Sequence, residues 1–326
     1  MPLAGRDSRQ LMDGLIDRVE QLHSSPWVAC RVLNLLKDPE FDVRQVERQL
    51  ETDPALAAAI LRLVNSSCFG LSQKVSSLRQ AITLLGARSL RLTVLSFGLV
   101  DRLTWGAPGR VCSDYWRRAL TMAASASYLC AGRDAVRPDE AYSAGLLADV
   151  GVLVLAQLDT ERYVSLYGQR RHGRELMEAE RGQYGFDHCT LGAHLLSRWS
   201  LPKKLTRAVF GHHAKRPGRG ALDLAVLAGD VLADVLWEPE TPRLPDAQRL
   251  LLGELGLDLD GFISLVLKCK SDIAENAELF QVELMGSINC DALMENALRL
   301  YRQEAMETAM DLDSLTAIMD HEVGRT

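Results

Sequence analysis

The sequence predicts an all-α protein made of many short helices, and three observations carry that reading. Helix-opening punctuation recurs along the chain, each opening is followed by apolar residues at helical spacing, and no segment shows the period-two alternation of a half-buried strand. Of the 326 residues, 47% are hydrophobic and 25% charged, enough to build a substantial core in one large domain or two medium ones.

Pro26 after Ser25 opens the first well-marked helix, because a proline at the first helical position gives up only an N–H that has no partner there. Pro54 after Asp53 opens another, with Leu56, Ile60, Leu63 and Val64 along one face. Ser77 stands three residues before Gln80 in a capping-box arrangement. The helix that follows carries Leu78, Ala81, Ile82 and Leu85, with Gly86 as its expected stop. GAPGR (106–110) breaks the chain after a helix ending near Val100, and the three prolines of EPETPRLPDAQ (238–248) break it again.

The expected organisation is a helical N-terminal lobe over 1–105, a second helical lobe over 111–237 and a C-terminal helical extension over 238–326. In the extension Ala297, Tyr301, Ala305, Thr308, Leu312, Leu315 and Met319 follow alternating four- and three-residue steps. Small and polar members make this a weak seam. It reads as a helix docked on its own domain, with a weak dimer as the alternative.

The net charge of -6 gives no long-range attraction for nucleic acid or an anionic membrane. Residues 53–86 could be mistaken for a DNA-reading helix-turn-helix, but SSLRQAITLLG offers one arginine where groove reading needs several polar or basic side chains, so DNA is not an expected partner. The seven cysteines are scattered without a CxxC pair, which argues for reduced thiols and against a zinc–thiolate site. With no signal-peptide core and no run of about 18 apolar residues, a cytoplasmic protein without membrane attachment is expected. There is no GxSxG elbow, P-loop or dinucleotide fingerprint.

Several polar residues stand out against their apolar surroundings. Asp149 lies in AGLLADVG (144–151), which reads as helix, directly after Ala148. Asp230 lies in LAVLAGDVLADVL, too apolar for a casual carboxylate, and Asp234 one turn later is expected to be the more exposed of the two. His212 and His213 end an amphipathic helix beginning at Lys203. Histidines there commonly meet the last carbonyls, and metal ligation is the competing reading. His188 follows Asp187, an apparent N-cap, while His194 lies off the same face. Lys203, Lys204, Arg207, Lys215, Arg216 and Arg219 cluster around the double histidine. They form either a solvated basic face or a site for an anionic, phosphate-bearing ligand.

SPWVACRVLNLLKDPEFDV (25–43), DPALAAAILRLVNSSCFG (53–70) and VSSLRQAITLLGARSL (75–90) together resemble the HDOD family, a regulatory branch of the HD phosphohydrolase superfamily. YWRRALTMA (115–123), AYSAGLLADVGVLVL (141–155), YGFDHCTLGAHLLSRWSLP (184–202), AVFGHH (208–213) and VLAGDVLAD (226–234) extend the resemblance over roughly residues 20 to 236. The resemblance implies a multi-helix HD-like bundle. In an active HD enzyme it implies metal ligands at 118, 148, 149, 188, 212 or 213, and 230, which lower the pKa of bound water.

Here Arg118 and Ala148 occupy two of those positions, leaving a degenerate remnant of Asp149, His188, His212, His213 and Asp230. Ala148 has no lone pair, and Arg118 brings a permanent positive charge. Asp149 is then expected to pair with Arg118, while Asp230 is open to His213, Arg118 or a water. The resemblance with these departures implies a signalling protein without catalysis, bound metal or other cofactor. It would act by binding a protein partner or small ligand, in the setting of cyclic-dinucleotide or two-component pathways. A residual metal-dependent phosphohydrolase and the regulatory part of a diguanylate cyclase are the alternatives, although no GGDEF or EAL signature occurs.

Overall fold

The computed structural model describes residues 5–22, 27–36, 38, 40–65, 73–95, 97, 98, 104, 107–131, 135–169, 173–199, 201–214, 218, 220–280, 282–299, 302 and 306. It is 78% helical, and no strand occurs among the described residues. The first half holds α1 (Gly5–Leu22), α2 (Trp27–Leu35), α3 (Val43–Leu50), α4 (Pro54–Val64) and α5 (Leu78–Leu95). The second begins with α6 (Gly109–Cys130), α7 (Pro138–Leu146), α8 (Val150–Leu158), α9 (Thr160–Gln169), α10 (Gly173–Tyr184), α11 (His188–Arg198), α12 (Lys203–Gly211) and α13 (Ala221–Val235). The short α14 (Leu244–Gln248), a π-helical turn (Arg249–Glu254), α15 (Leu259–Phe280) and a last helical stretch over 290–299 complete it.

The local signals act as their chemistry requires. Asp53 accepts the Leu56 N–H at 3.1 Å with Pro54 behind it, and Asp187 accepts the Thr190 N–H at 2.8 Å at the start of α11. Gly86, expected to stop a helix, takes φ 67°, which favours glycine, and α5 bends there instead of ending. Pro26 lies outside the described residues.

AGLLADVG is not one helix. α7 ends at Leu146, residues 147–149 form a turn, and α8 starts at Val150. Asp149 occupies the N-cap position of α8 yet makes no capping bond, so its carboxylate is free to point into the core. The stretch Pro138–Leu158 has a mean hydropathy of 1.6, but 89% of that apolar window is buried within the fold and the turn interrupts it. These are core helices by environment.

α6 is the central element, with Tyr115, Trp116, Leu120 and Met122 all buried. Full burial of a side chain such as Leu120 or Met122 contributes roughly 1.5–3 kcal/mol. α7, α13 and α15 pack around it. α1 docks on α8 and α11, where Asp13 meets His194 at 2.7 Å and Asp17 accepts from Arg198 at 2.7 Å. His194, off the α11 face that carries His188, is spent on this contact.

The C-terminal extension joins the same core. Tyr142 donates to Asn276 at 3.0 Å, and the Phe280 ring stacks on Phe97 with centroids 4.4 Å apart. Ala297 is buried; the remaining seam residues, Tyr301, Ala305, Thr308, Leu312, Leu315 and Met319, lie outside the described residues.

Candidate functional site

Backbone proximity at Met122 sets the site. A Cβ on Gly145 of α7 would lie 2.5 Å from the Met122 carbonyl carbon, and one on Gly229 of α13 would lie 3.1 Å from its Cα. Only residues without side chains let three helices converge so closely. Arg118 precedes Met122 by one turn, so its guanidinium enters between the turn after α7 and the flank of α13.

There it is nearly enclosed, its side chain 3% exposed. Nε donates to Asp149 Oδ2 at 3.0 Å, Nη1 to Asp234 Oδ1 at 2.5 Å, and Nη2 to Asp230 Oδ1. The Arg118–Asp149 pair expected from the resemblance therefore forms, within a larger network. Asp230 meets Arg118 and also His213, whose Nδ1 lies 2.9 Å from Oδ2. Asp234 is the more exposed of the two aspartates, as expected, but at 10% it is hardly a solvent group. Arg243, just before α14, bridges both, through Nη1 to Asp234 at 2.5 Å and Nη2 to Asp230 at 3.0 Å.

The imidazoles form the other half. A Cβ at Gly151 would fall 2.1 Å from the His188 carbonyl oxygen, so the start of α8 presses directly on the start of α11. Glu180 of α10 receives His188 Nδ1 at 2.6 Å and the His188 backbone N–H at 2.8 Å, while Tyr163 donates to its other oxygen at 2.5 Å. His212 Nδ1 meets the Val209 carbonyl at 2.6 Å, and its Nε2 lies 3.0 Å from Asp149 Oδ1 and 3.9 Å from Cys189 Sγ. His212 bonds a late helix carbonyl, as one reading of the double histidine expects, and both rings are buried. His188 Nε2 is buried without a hydrogen-bond partner, 3.6 Å from Asp149 Oδ1.

These neighbours decide the charge states. Burial pushes the Asp149 carboxyl up, but the Arg118 guanidinium, aided by His212, holds it well below the usual carboxylate range. Burial opposes the His188 imidazolium, and the charge and hydrogen bond of Glu180 overcome it and raise the pKa to about 9. His212 is likewise raised against burial, by Cys189 and Asp149. Burial lowers His213 to about 4, with repulsion from His212 and His188 added and Asp230 opposing. The contacts thus favour the imidazolium form of His188 and His212 and the ionised form of Asp149 and Asp230, beside the guanidinium groups of Arg118 and Arg243.

A small cavity with room for about one water-sized occupant adjoins the cluster, lined in part by Arg118, Asp149, Tyr167, His188 and His213. Of the three described members of the basic group outside it, two are engaged by carboxylates. Lys204 meets Glu140 at 2.7 Å and Arg207 meets Asp223 at 3.0 Å, leaving Lys203 exposed beside them. Anion binding by these described residues would have to compete with carboxylates already in place. Lys215, Arg216 and Arg219 lie outside the described residues.

Residues 22–215 match the family model of the HDOD domain. The chain belongs to the HDOD family. Over 215 residues this HDOD chain is 23% identical to an uncharacterized protein of Treponema pallidum, covering 63% of this chain and 40% of the relative. Over 78 residues it is 36% identical to the Vibrio cholerae protein named cyclic di-GMP phosphodiesterase CdgJ, covering 23% of this chain and 18% of the relative. The chain thus spans less than half the length of these curated relatives. The crystal structure of an HDOD domain protein of unknown function from Geobacter sulfurreducens superposes with a TM-score of 0.57 at 23% identity, covering 84% of this chain and 97% of that one. This likeness supports the all-α bundle.

The residues present do not fit the hydrolytic metal centre of an HD enzyme. Arg118 engages Asp149, Asp230 and Asp234 together, so the carboxylates that would face a hard cation already face a guanidinium. Ala148 is buried with no donor atom to offer. Sequence reasoning missed Glu180, Cys189 and Arg243. The buried face of α10 runs Leu176, Glu180, Tyr184 at four-residue steps, and a carboxylate on such a stripe was the available signal.

Proposed function

We propose that this HDOD protein is a non-catalytic signal-transduction module that acts by binding a protein partner or a small regulator. The observation that carries the reading is Arg118, buried and bonded to three carboxylates where an HD enzyme would use a metal. The guanidinium supplies the positive charge those carboxylates need, but it has no open position for water, so it cannot generate a hydroxide nucleophile. The activity named for the Vibrio relative favours cyclic-dinucleotide signalling as the setting, with two-component pathways as the other candidate. DNA is not the partner this reading favours, given the net charge of -6 and the carboxylates that already engage Lys204 and Arg207.

The test is incubation of the purified chain with manganese or ferrous iron and a model phosphodiester, with bound metal measured in parallel. No turnover and no stoichiometric manganese or iron are expected. Turnover dependent on Asp149 and Asp230 would instead establish a residual metal-dependent phosphohydrolase.

A further inference from the structure

The histidine half of the cluster has a property that the arginine half lacks. Each of its three imidazoles has Nδ1 against an oxygen acceptor: Glu180 for His188, the Val209 carbonyl for His212 and Asp230 for His213. Metal-bound histidines are held in this way, the acceptor fixing the tautomer and ring orientation so that Nε2 is presented to the cation. Cys189, next to His188 in α11, adds a sulfur whose Sγ is 3.9 Å from His212 Nε2. One donor atom from each of His188, Cys189, His212 and His213 lies within 4.8 Å of the others, and all four residues are buried. His188 Nε2 makes no hydrogen bond and meets only Asp149 Oδ1, at 3.6 Å, which leaves it available to a closer partner.

We propose that His188, Cys189, His212 and His213 bind one thiophilic divalent cation, of which zinc is the type, and that the ion clamps the start of α11 to the end of α12. This set shares histidines with the centre that the family resemblance implies but is closed by a thiolate instead of carboxylates, which changes the preferred ion from hard to borderline-soft. It also departs from the sequence expectation, which argued against a zinc–thiolate site for want of a CxxC pair. Here one cysteine suffices because the other three donors are imidazoles.

Zinc–nitrogen and zinc–sulfur bonds of about 2.0–2.3 Å require the donors to close in by roughly 1 Å. His212 Nε2 must leave Asp149 Oδ1, and Asp149 remains bonded through Oδ2 to Arg118. The inference adds a ligand class to the regulatory reading. It rests on that reading only in that the aspartates stay with the arginines.

Cobalt is the probe. The chelator-treated full chain is titrated with Co2+, with saturation expected at about one ion per chain. Tetrahedral visible bands and a thiolate-to-cobalt charge-transfer band should appear, both reversed by zinc. Cys189→Ser should remove the charge-transfer band, and Glu180→Gln should weaken binding by about 10–100-fold. X-ray absorption at the zinc edge of the loaded wild-type chain, which needs no variant to fold, should show sulfur beside nitrogen ligands. Absence of saturable cobalt binding, a zinc shell with only nitrogen and oxygen, or a charge-transfer band unchanged in Cys189→Ser would overturn the proposal. Phosphodiester hydrolysis by a zinc-loaded chain that retains the sulfur signature would overturn the non-catalytic reading and leave this site standing.

Discussion

The two halves of the buried polar cluster adjoin each other but come from different helices, the arginine half from α6, α13 and the segment before α14 and the histidine half from α10, α11 and the end of α12, and they solve burial differently. Around Arg118 and Arg243 the aspartates are held by forked donors in direct contact, a closed set in which guanidinium geometry matches carboxylate geometry. Around His188, His212 and His213 the rings are oriented from behind, while His188 Nε2 makes no hydrogen bond and only a 3.6 Å contact with Asp149. The first half is finished by protein atoms alone. The second is arranged for something else to finish it, and its charge depends on pH where that of the arginines does not.

Removing Arg118 is the strongest way to break the finished half. Arg118→Ala leaves Asp149, Asp230 and Asp234 without a shared partner and should cost about 3–5 kcal/mol in urea unfolding. Adding Asp149→Asn should return part of that loss, because one of the three carboxylates no longer needs a cation. A coupling energy of about 1 kcal/mol or more in the double-mutant cycle is the expected outcome. Additive effects would show that the two residues stabilise the fold independently despite their contact.

The unfinished half should govern the pH dependence of the metal-free chain. His188 has a folded pKa of about 9 against an ordinary 6.5, so its contribution is complete below 6.5 and is lost as pH rises through 9. His213, lowered to about 4, works in the opposite direction: its contribution is present above 6.5 and is lost as pH falls through 4. Stability should peak near pH 6.5, with each limb no steeper than about 1.4 kcal/mol per pH unit for one proton. Urea unfolding across pH in the presence of chelator checks this. His188→Gln should make the alkaline limb shallower, with His212, also raised, still contributing to it, and His213→Gln should flatten the acid limb.

How much of this was legible in the sequence follows the range of the signals. Helix starts at Asp53 and Asp187 depend on neighbours within three residues and could be read directly. The contact of Arg118 with Asp149, 31 positions away, was reachable only through resemblance to a family whose geometry places those positions together. Arg243 escaped because a proline-rich break gives no sign that its arginine turns inward to Asp230 and Asp234. The AGLLADVG turn reads as helix from sequence since every residue but Asp149 is apolar or small, and periodicity cannot register a three-residue break in a uniformly buried run.

The finest comparison is between two arginines of similar bonding and different burial. Arg243, with a side chain 27% exposed, donates to Asp230 and Asp234, whereas Arg207, 61% exposed, donates to Asp223. Arg243→Ala leaves both its aspartates still held by Arg118, so the loss should be smaller than for Arg118→Ala, about 1–2 kcal/mol. Arg207→Ala removes a contact that water can replace and should cost less than about 1 kcal/mol. Salt separates them further. At about 1 M salt, where the screening length is about 3 Å, the Arg207 effect should vanish while most of the Arg243 effect persists, because the ions cannot enter the space around Asp230. If both effects vanished together, Arg243 would be an ordinary surface ion pair, and the charge of the finished half would rest on Arg118 and its neighbouring imidazoles.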